Sequence, residues 1–181
     1  MGRDKASLSL GTGTFLSHLI AEYSPMLPVY VSVGQPGKFP HPGAEELVDL
    51  RPGMGPLAGL EAAFSQTDAD VVFLTATDLP GGTAELASYL LETLGTADAC
   101  VICRRDGKPE PAFGVYRRSC LTPAKSLLDQ GRRALRGVFD QVQVRWVREE
   151  DIPQFPLDRL LRNVNTPEEY AAWMEQLPKT P

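Results

Sequence analysis

Short apolar runs alternate with longer amphipathic stretches along this chain. That alternation is typical of an α/β fold, in which helices connect the strands of a mostly parallel sheet. The runs predict strands at residues 29–33, 46–49, 71–74, 99–103, 112–116 and 142–147. Because no internal repeat or low-complexity tract interrupts the pattern, we expect one domain over residues 1–181.

Helix signals fill the stretches between those strands. Amphipathic spacing predicts helices at 14–23, 56–66, 119–130 and 133–139, and Thr83 and Gly95 delimit another. Pro56 suits the first turn of its helix, where a missing N–H costs nothing. Thr166 and Glu169 form a capping box, which predicts a last helix through residue 177.

The apolar strand at 71–74 is followed within four residues by Asp78. A run this short, bounded by turn residues, predicts a fully buried parallel strand. Such strands end at the edge where open α/β sheets bind ligands, so Asp78 suits Mg²⁺ beside a nucleotide phosphate. Asp is also common in turns, and this segment alone leaves both interpretations open.

The composition narrows the class of protein. The chain has 181 residues, enough for one domain with a proper core. Its formal net charge of −5 argues against the broad basic surface of a nucleic-acid-binding protein. The N-terminus has no signal-peptide pattern, and no apolar run reaches the roughly 20 residues of a membrane span. We therefore expect a cytoplasmic protein with neither a nucleic-acid nor a membrane partner.

Cysteine and histidine usage predicts no metal or redox centre. An odd cysteine count, three, indicates a reducing compartment. Cys100 and Cys103 lie in an apolar strand and face opposite sides, so we expect core residues.

Two segments suit nucleotide binding. Arg3 and Lys5 offer cations that would grip a triphosphate; the alternative is a solvated terminus. Asp49 precedes a loop in which Gly53 and Gly55 let the backbone approach a ligand, and the helix that follows offers free N–H groups. The alternative there is a plain loop-to-helix connection.

Three further segments suit a phosphate-bearing substrate or a metal. Residues 106–111 form a turn that either joins two strands or presents a substrate loop. Arg132 and Arg133 suit a phosphate, or form a solvated helix face. Asn163 and Asn165 lie on one side of an alternating segment, where their oxygens suit a metal or a ribose, or bond to local backbone.

The order of these segments closely resembles that of the molybdenum cofactor guanylyltransferases. The matching segments are M-G-R-D-K at the start, G-P-L-A-G at 55–59, the strand that leads into Asp78, and N-V-N-T-P-E-E at 163–169. The last of these is the most specific, and the resemblance spans nearly the whole chain. It implies a three-layer αβα Rossmann-like nucleotidyltransferase fold with a mostly parallel sheet.

The resemblance also implies an activity: transfer of GMP from GTP to molybdopterin, with release of pyrophosphate and with Mg²⁺. Lys5 would hold the triphosphate and Asp78 would bind Mg²⁺, so these are the implied catalytic residues. The implied nucleotide-binding residues are Arg3, Lys5, Asp49, Gly55, Pro56, Leu57 and Asp78, and the implied molybdopterin-binding residues are Lys108, Pro111, Arg132, Arg133, Asn163 and Asn165. The product would pass to a molybdoenzyme or a molybdenum-insertion partner.

The sequence departs from the family pattern in two places. The family signature begins L-A-G-G-x-S-x-R directly before M-G-x-D-K, whereas this sequence begins at that Met. We therefore expect the chain as given to lack the first strand and the glycine-rich phosphate loop, and to bind GTP weakly; the Met would be internal in a longer natural protein. Ser32 stands where family members often carry Asn, which leaves a base or ribose contact open.

Two other classes of function stay open from the sequence. A cytidylyltransferase acting on molybdopterin, or a sugar-phosphate nucleotidyltransferase, would share the roles of Lys5 and Asp78. A non-catalytic molybdopterin-binding module would use the 107–136 region and release no pyrophosphate.

Overall fold

Helices cover both faces of a mixed sheet in this protein. The structure, a computed structural model, describes residues 9–10, 13–166, 169, 172 and 173. Its strands are β1 (Ser9–Leu10), β2 (Gly13–Thr14), β3 (Tyr30–Val33), β4 (Glu45–Val48), β5 (Val71–Thr75), β6 (Ala99–Cys103), β7 (Pro109–Arg117) and β8 (Val144–Arg148). Its α-helices are α1 (Phe15–Tyr23), α2 (Pro56–Gln66), α3 (Ala84–Thr93), α4 (Leu121–Asp129) and α5 (Leu157–Leu160). Single 3₁₀ segments occupy Arg118–Cys120, Leu135–Asp140 and Glu149–Asp151.

The strands of the described residues form one four-stranded sheet and two smaller pairs. The larger sheet has the order β5–β7–β6–β8, in which β6 and β8 are parallel and β7 is antiparallel to both of its neighbours. β3 pairs with β4 in parallel, and β1 pairs with β2 antiparallel. In the larger sheet β5, β6 and β8 share one direction and β7 is reversed, so the predicted mostly parallel sheet is confirmed there.

The N-terminal predictions lie outside the described residues. Arg3, Lys5 and the rest of residues 1–8 are among the residues not described. Their roles, and the expected loss of a first strand, stay predictions.

β6 divides the core into two clusters, because successive side chains of a strand point to opposite faces. Cys100 and Ile102 pack in one cluster with residues of α1 and α3. Ala99 and Val101 pack in the other with residues of α2 and α4. All four side chains are fully buried. Helices therefore lie on each side of the sheet, as the predicted three-layer arrangement requires.

Several helix ends follow the sequence signals closely. α2 begins at Pro56, and the Thr83 side chain caps α3 by accepting a bond of 3.3 Å from the Leu86 N–H. The Glu169 N–H donates to Thr166 Oγ1 at 3.1 Å, and the Thr166 N–H donates to Glu169 Oε2 at 3.0 Å. That reciprocal pair confirms the capping box.

Two predicted elements were wrong in form. The turn expected at 106–111 lies at residues 104–108, because Gly107 takes a φ of 79° and the Arg104 N–H bonds to the Lys108 carbonyl at 2.8 Å. β7 consequently starts at Pro109 and includes Pro111. The helix expected at 133–139 is a 3₁₀ segment, and it contains Gly137, a residue type that disfavours a regular helix.

The cysteines behave as core residues where they are buried. Cys100, Cys103 and Cys120 are all free. Burial raises the pKa of the Cys100 thiol to about 11 and that of Cys120 to about 12. These two thiols therefore stay protonated at neutral pH and are poor nucleophiles.

None of the helices in the described part of the chain combines the length and apolar character needed to cross a bilayer.

Candidate functional site

Asp78 lies in the loop that follows β5, where the C-terminal segment of the chain meets it. The Asp78 carbonyl accepts a hydrogen bond of 2.9 Å from the Val164 N–H. Asn163 and Asn165 flank that valine, and Val164 itself is fully buried. The structure therefore places the backbone of Asp78 beside the segment that carries the two asparagines suggested by the sequence for metal or substrate binding.

Close packing fixes the loop that carries Asp78. A Cβ atom added at Gly81 would lie 2.9 Å from the Arg159 carbonyl oxygen, and one at Gly82 would lie 2.4 Å from Phe113 Cε2. Both distances are shorter than any side chain tolerates without a shift of its neighbours. Glycine is therefore required where the loop passes between α5 and β7, and that contact sets the position of Asp78.

Glu110 is a carboxylate near Asp78 that the sequence analysis did not single out. It lies on β7 and is half-buried. Burial raises the pKa of the Glu110 carboxyl, the nearby Arg104 opposes that rise, and the negative charge of Asp78 adds to it. Asp78 and Glu110 therefore lie within electrostatic reach of each other. Residue type and spacing gave no signal for this pair, because β5 and β7 meet only in the folded sheet.

A cavity of about 480 Å³ opens at the end of β7 beside Glu110. Its walls come from the β6–β7 turn, the start of β7 and the segments after β8, and all but one of the lining residues are charged: Arg104, Arg105, Asp106, Lys108, Pro109, Glu110, Glu149 and Asp158. Lys108, predicted to bind substrate, is exposed there and its Nζ lies 2.7 Å from Asp106 Oδ2. Pro111, also predicted, lies farther along β7, where its carbonyl accepts a bond of 2.6 Å from the Tyr116 hydroxyl.

Arg104 holds the wall of this cavity in place. Its Nε lies 2.8 Å from Glu149 Oε2, and its Nη2 lies 2.5 Å from Asp158 Oδ1. Glu149 is buried and also accepts a bond of 3.1 Å from the Arg105 N–H. The β6–β7 turn is thereby fastened to the segments that follow β8.

Asp49 lies at the end of β4, where β3 and α2 also meet. Ser32 Oγ on β3 donates a hydrogen bond of 2.5 Å to Asp49 Oδ1. A Cβ atom at Gly59 would lie 3.1 Å from that same Oγ, so α2 passes close to the pair. Burial raises the pKa of the Asp49 carboxyl, and the bond from Ser32 opposes the rise. Ser32 thus orients Asp49.

The loop after Asp49 leads into the first turn of α2. Gly53 and Gly55 have φ angles of 79° and 67°, the left-handed region that favours glycine. Pro56 is exposed at the first helical position, and Leu57 is the first residue of α2 with an N–H. The Leu57 side chain is fully buried in the core, so only its backbone is available for the predicted nucleotide contact.

Arg132 and Arg133 lie in the exposed loop that ends α4. Gly131 reverses the chain there with a φ of 71°, and the Arg132 N–H donates to the Leu127 carbonyl at 2.9 Å. Within the described part of the chain, neither guanidinium takes part in an ion pair. Both are therefore open to an incoming anion.

The donor set near Asp78 is compatible with Mg²⁺. No group of three or more His, Cys, Asp or Glu side chains that would enclose a metal occurs among the described residues. Mg²⁺ is commonly bound by one or two carboxylates, with substrate phosphates and water completing its shell. Asp78, with Glu110 nearby and an asparagine on each side of Val164, fits that open arrangement.

The sequence comparisons define the class of protein, a nucleotidyltransferase, and the α/β fold agrees with it. A family model described as MobA-like NTP transferase domain matches residues 1–146, and the chain belongs to this family. The probable molybdenum cofactor guanylyltransferase of Carboxydothermus hydrogenoformans is 32% identical over 171 residues, which cover 94% of this chain and 86% of the relative. The resemblance seen in the sequence is thereby confirmed.

Solved structures share the fold over nearly the whole chain. Molybdopterin-guanine dinucleotide biosynthesis protein A from Archaeoglobus fulgidus has a TM-score of 0.80 and 22% identity, covering 96% of this chain and 90% of its own. The 2-C-methyl-D-erythritol 4-phosphate cytidylyltransferase of Thermus thermophilus has a TM-score of 0.70 and 17% identity, covering 94% and 92%. A manganese complex of a Mycobacterium tuberculosis protein has a TM-score of 0.63 and 15% identity, covering 96% and 92%.

Proposed function

We propose that the protein transfers GMP from GTP to molybdopterin and uses Mg²⁺ in doing so. The observation that carries this proposal is the bond from the Val164 N–H to the Asp78 carbonyl, 2.9 Å long. It joins the most specific sequence match, N-V-N-T-P-E-E, to the backbone of Asp78 in the loop that follows β5. Membership of the MobA-like NTP transferase family and the 32% identical relative support the same reaction.

In this reaction an oxygen of the terminal molybdopterin phosphate forms a bond to the α-phosphorus of GTP. The bond from that phosphorus to the oxygen bridging to the β-phosphate breaks, and pyrophosphate leaves. The attacking phosphate is already ionised at neutral pH, so the site needs no general base. Catalysis therefore depends on positioning and on neutralising phosphate charge.

The residues divide these tasks between them. Asp78 would hold Mg²⁺, which when bound supplies positive charge to the phosphate groups. Lys5 and Arg3 would offset the charge of the leaving pyrophosphate. Asn163 and Asn165 would contact the substrate beside Asp78.

The guanine nucleotide would occupy the junction of β4 and α2. Asp49 is oriented there by Ser32, and its ionised carboxylate accepts hydrogen bonds only. Gly55 and Pro56 are exposed at the start of α2. The Leu57 N–H would donate a hydrogen bond to a group bound there.

Molybdopterin would occupy the side of the sheet that carries the charged cavity. Lys108 lies on its wall and Pro111 follows on β7. Arg132 and Arg133 would bind the phosphate of this acceptor, since exposed guanidinium groups suit phosphate geometry.

Asp78→Asn tests the reaction and the metal role together. The substitution keeps the size of the side chain and removes its charge, so we expect turnover to fall on the order of 100-fold or more. The measurement is pyrophosphate release with GTP, Mg²⁺ and molybdopterin, alongside the melting temperature. Asp151→Asn, which changes an exposed carboxylate in the Glu149–Asp151 segment, is the matched control and should change neither.

Each rival gives a different outcome in the same assay. If Asp78 only forms a turn, Asp78→Asn lowers the melting temperature and leaves turnover intact, which refutes the metal role. A non-catalytic molybdopterin-binding module would release no pyrophosphate even as the unaltered protein.

The choice of nucleotide is tested by thermal shift with GTP against CTP. Guanine presents N–H donors on two adjacent atoms of its pairing edge, which one carboxylate accepts together, whereas cytosine presents a single amino donor. We therefore expect GTP to raise the melting temperature more than CTP. Stabilisation by CTP and not by GTP would support a cytidylyltransferase instead.

A further inference from the structure

Arg51 fastens the loop between β4 and α2 to two helices. Its Nη2 lies 2.8 Å from Asp129 Oδ1 and 3.5 Å from Glu61 Oε1. Its Nη1 donates a hydrogen bond of 3.3 Å to the Lys125 carbonyl. Glu61 belongs to α2, whereas Lys125 and Asp129 belong to α4. One guanidinium therefore joins the loop to both helices.

The loop makes few polar contacts of its own, although Met54 packs against the core. Gly53 and Gly55 are exposed and lie in the left-handed region, and glycine loses more conformational freedom on ordering than any other residue. Its own turn is closed by a bond of 3.3 Å from the Met54 N–H to the Arg51 carbonyl. The side-chain bonds of Arg51 thus supply polar contacts that fix this turn on α2 and α4, in addition to the apolar packing of Met54.

The ion pair between Arg51 and Glu61 differs from a surface ion pair because Glu61 is buried. The Glu61 side chain is 1% exposed, and its Oε2 has no hydrogen-bond partner among the described residues. A buried carboxylate is costly unless a partner of opposite charge compensates for its desolvation. Glu61 therefore favours the loop position that keeps Arg51 beside it.

Asp129 extends the contact toward the acceptor side. It is the last residue of α4, and the exposed loop with Arg132 and Arg133 follows it directly. The same ion pair consequently ties the proposed nucleotide loop to the helix that leads into the proposed phosphate-binding loop.

We propose that Arg51 is a positioning residue, which holds residues 49–55 in the conformation that presents Asp49 and the Leu57 N–H to the guanine nucleotide. This inference rests on the proposed function. Arg51 acts through the loop and not on the phosphates. Its loss therefore weakens binding of every guanine nucleotide alike and raises the KM for GTP, with kcat little changed.

The test is a double-mutant cycle on nucleotide affinity. The Kd values of GTP and GMP are measured by titration calorimetry on the full chain with Mg²⁺, for the unaltered protein, Arg51→Ala, Asp129→Ala and the double variant. Arg51→Ala should raise both Kd values about fivefold, because the free loop must then be ordered on binding. Asp129→Ala should raise them less, since Arg51 keeps its contacts with Glu61 and the Lys125 carbonyl. The double variant should bind no more weakly than Arg51→Ala, because the contact of Asp129 with the loop runs through Arg51.

Two further variants separate positioning from stability. Arg117 also donates to two loop carbonyls, those of Ala97 at 2.8 Å and Gly95 at 2.5 Å, so Arg117→Ala should lower the melting temperature without changing either Kd. Arg51→Ala combined with Glu61→Gln removes the unpaired buried charge and keeps the test possible if Arg51→Ala alone does not fold.

Three results would overturn the positioning role: an unchanged GTP affinity in that combined variant, additive effects in the cycle, or an equal loss of affinity in Arg117→Ala. Absence of GTP binding by the unaltered protein would instead contradict the proposed nucleotide site, and this role with it.

Discussion

Asp49 and Asp78 both follow the end of a strand, yet their surroundings give them different tasks. Asp49 is bonded to Ser32, and burial raises the pKa of its carboxyl. Asp78 is held through its backbone by Val164, and its loop is seated against Phe113 and α5. A carboxylate oriented by a hydroxyl suits recognition of a base, whereas packing of the loop after β5 sets the position of Asp78, the proposed metal ligand.

The raised pKa of Asp49 predicts an acid-sensitive affinity for the guanine base. Only the ionised carboxylate accepts the N–H donors of guanine, so affinity should fall as pH falls through the pKa of Asp49, which lies above the ordinary Asp value of about 3.9. Guanosine is the suitable probe, because it carries no phosphate that titrates. Its Kd is measured by calorimetry between neutral pH and the onset of acid unfolding.

Asp49→Asn is the control for this pH dependence. The variant should bind guanosine weakly at neutral pH and show little further loss on acidification. An identical pH profile in both proteins would mean that another group titrates. The raised pKa of Asp49 also affects the stability of the fold. Because the folded state favours protonated Asp49, the contribution of this group to stability falls as pH rises from its unfolded pKa through its folded pKa.

Among the helices, α2 depends on one side chain at its C-terminus as well as on Pro56 at its start. Arg118 Nη1 donates to the Phe64 carbonyl at 2.7 Å, and its Nη2 donates to the carbonyls of Thr67 and Ala69 at 2.8 and 2.7 Å. Its guanidinium also lies 5.6 Å from the centre of the Phe64 ring. The last carbonyls of a helix have no partner within it, and Arg118 supplies one.

Arg118→Ala should lower the free energy of unfolding by about 2 kcal/mol, because several carbonyls near the surface lose a charged donor and water replaces it in part. Urea unfolding followed by circular dichroism measures this change. Arg105→Ala, at an exposed arginine on the β6–β7 turn, should change it by less than about 1 kcal/mol. Equal effects of the two changes would contradict a capping role.

At the scale of the whole molecule, the sheet separates two apolar cores. Leu86 of α3 belongs to one cluster and Leu127 of α4 to the other, and both side chains are fully buried. Substitution to Ala at either position removes comparable apolar volume. The pair therefore offers a direct test of whether residues 1–181 behave as one domain, which stays a prediction.

Leu86→Ala and Leu127→Ala should each destabilise the fold by about 2–5 kcal/mol. Because the sheet lies between the two sites, the free-energy changes should add within about 0.5 kcal/mol in the double variant. One unfolding transition should also be seen by fluorescence and by circular dichroism alike. Two separate transitions, one sensitive to each substitution, would show that the layers unfold independently.

By itself the sequence determined the local structure and the family. The helix starts at Pro56, after Thr83 and after Thr166 follow from a proline in the first turn or from a side-chain cap, signals that act within a few residues, so they needed no tertiary information. The strand into Asp78 was likewise evident from its apolar run, but the predicted full burial and parallel pairing were wrong. The β5 side chains are half-buried, and its partner among the described residues, β7, is antiparallel because strand pairing is decided by the folded sheet. In contrast, α5 is too short for any periodicity to show, and β7 proved longer than its apolar centre.

Only the tertiary structure decided which side chains meet. The pairing of β5 with β7 brings Glu110 near Asp78, and the packing of α2 on α4 brings Arg51 to Glu61 and Asp129. These partners are separated by 10 to 78 residues, and contacts at such separations leave no local pattern. The burial of the Leu57 side chain was also decided by the tertiary structure, because it depends on which residues pack against α2.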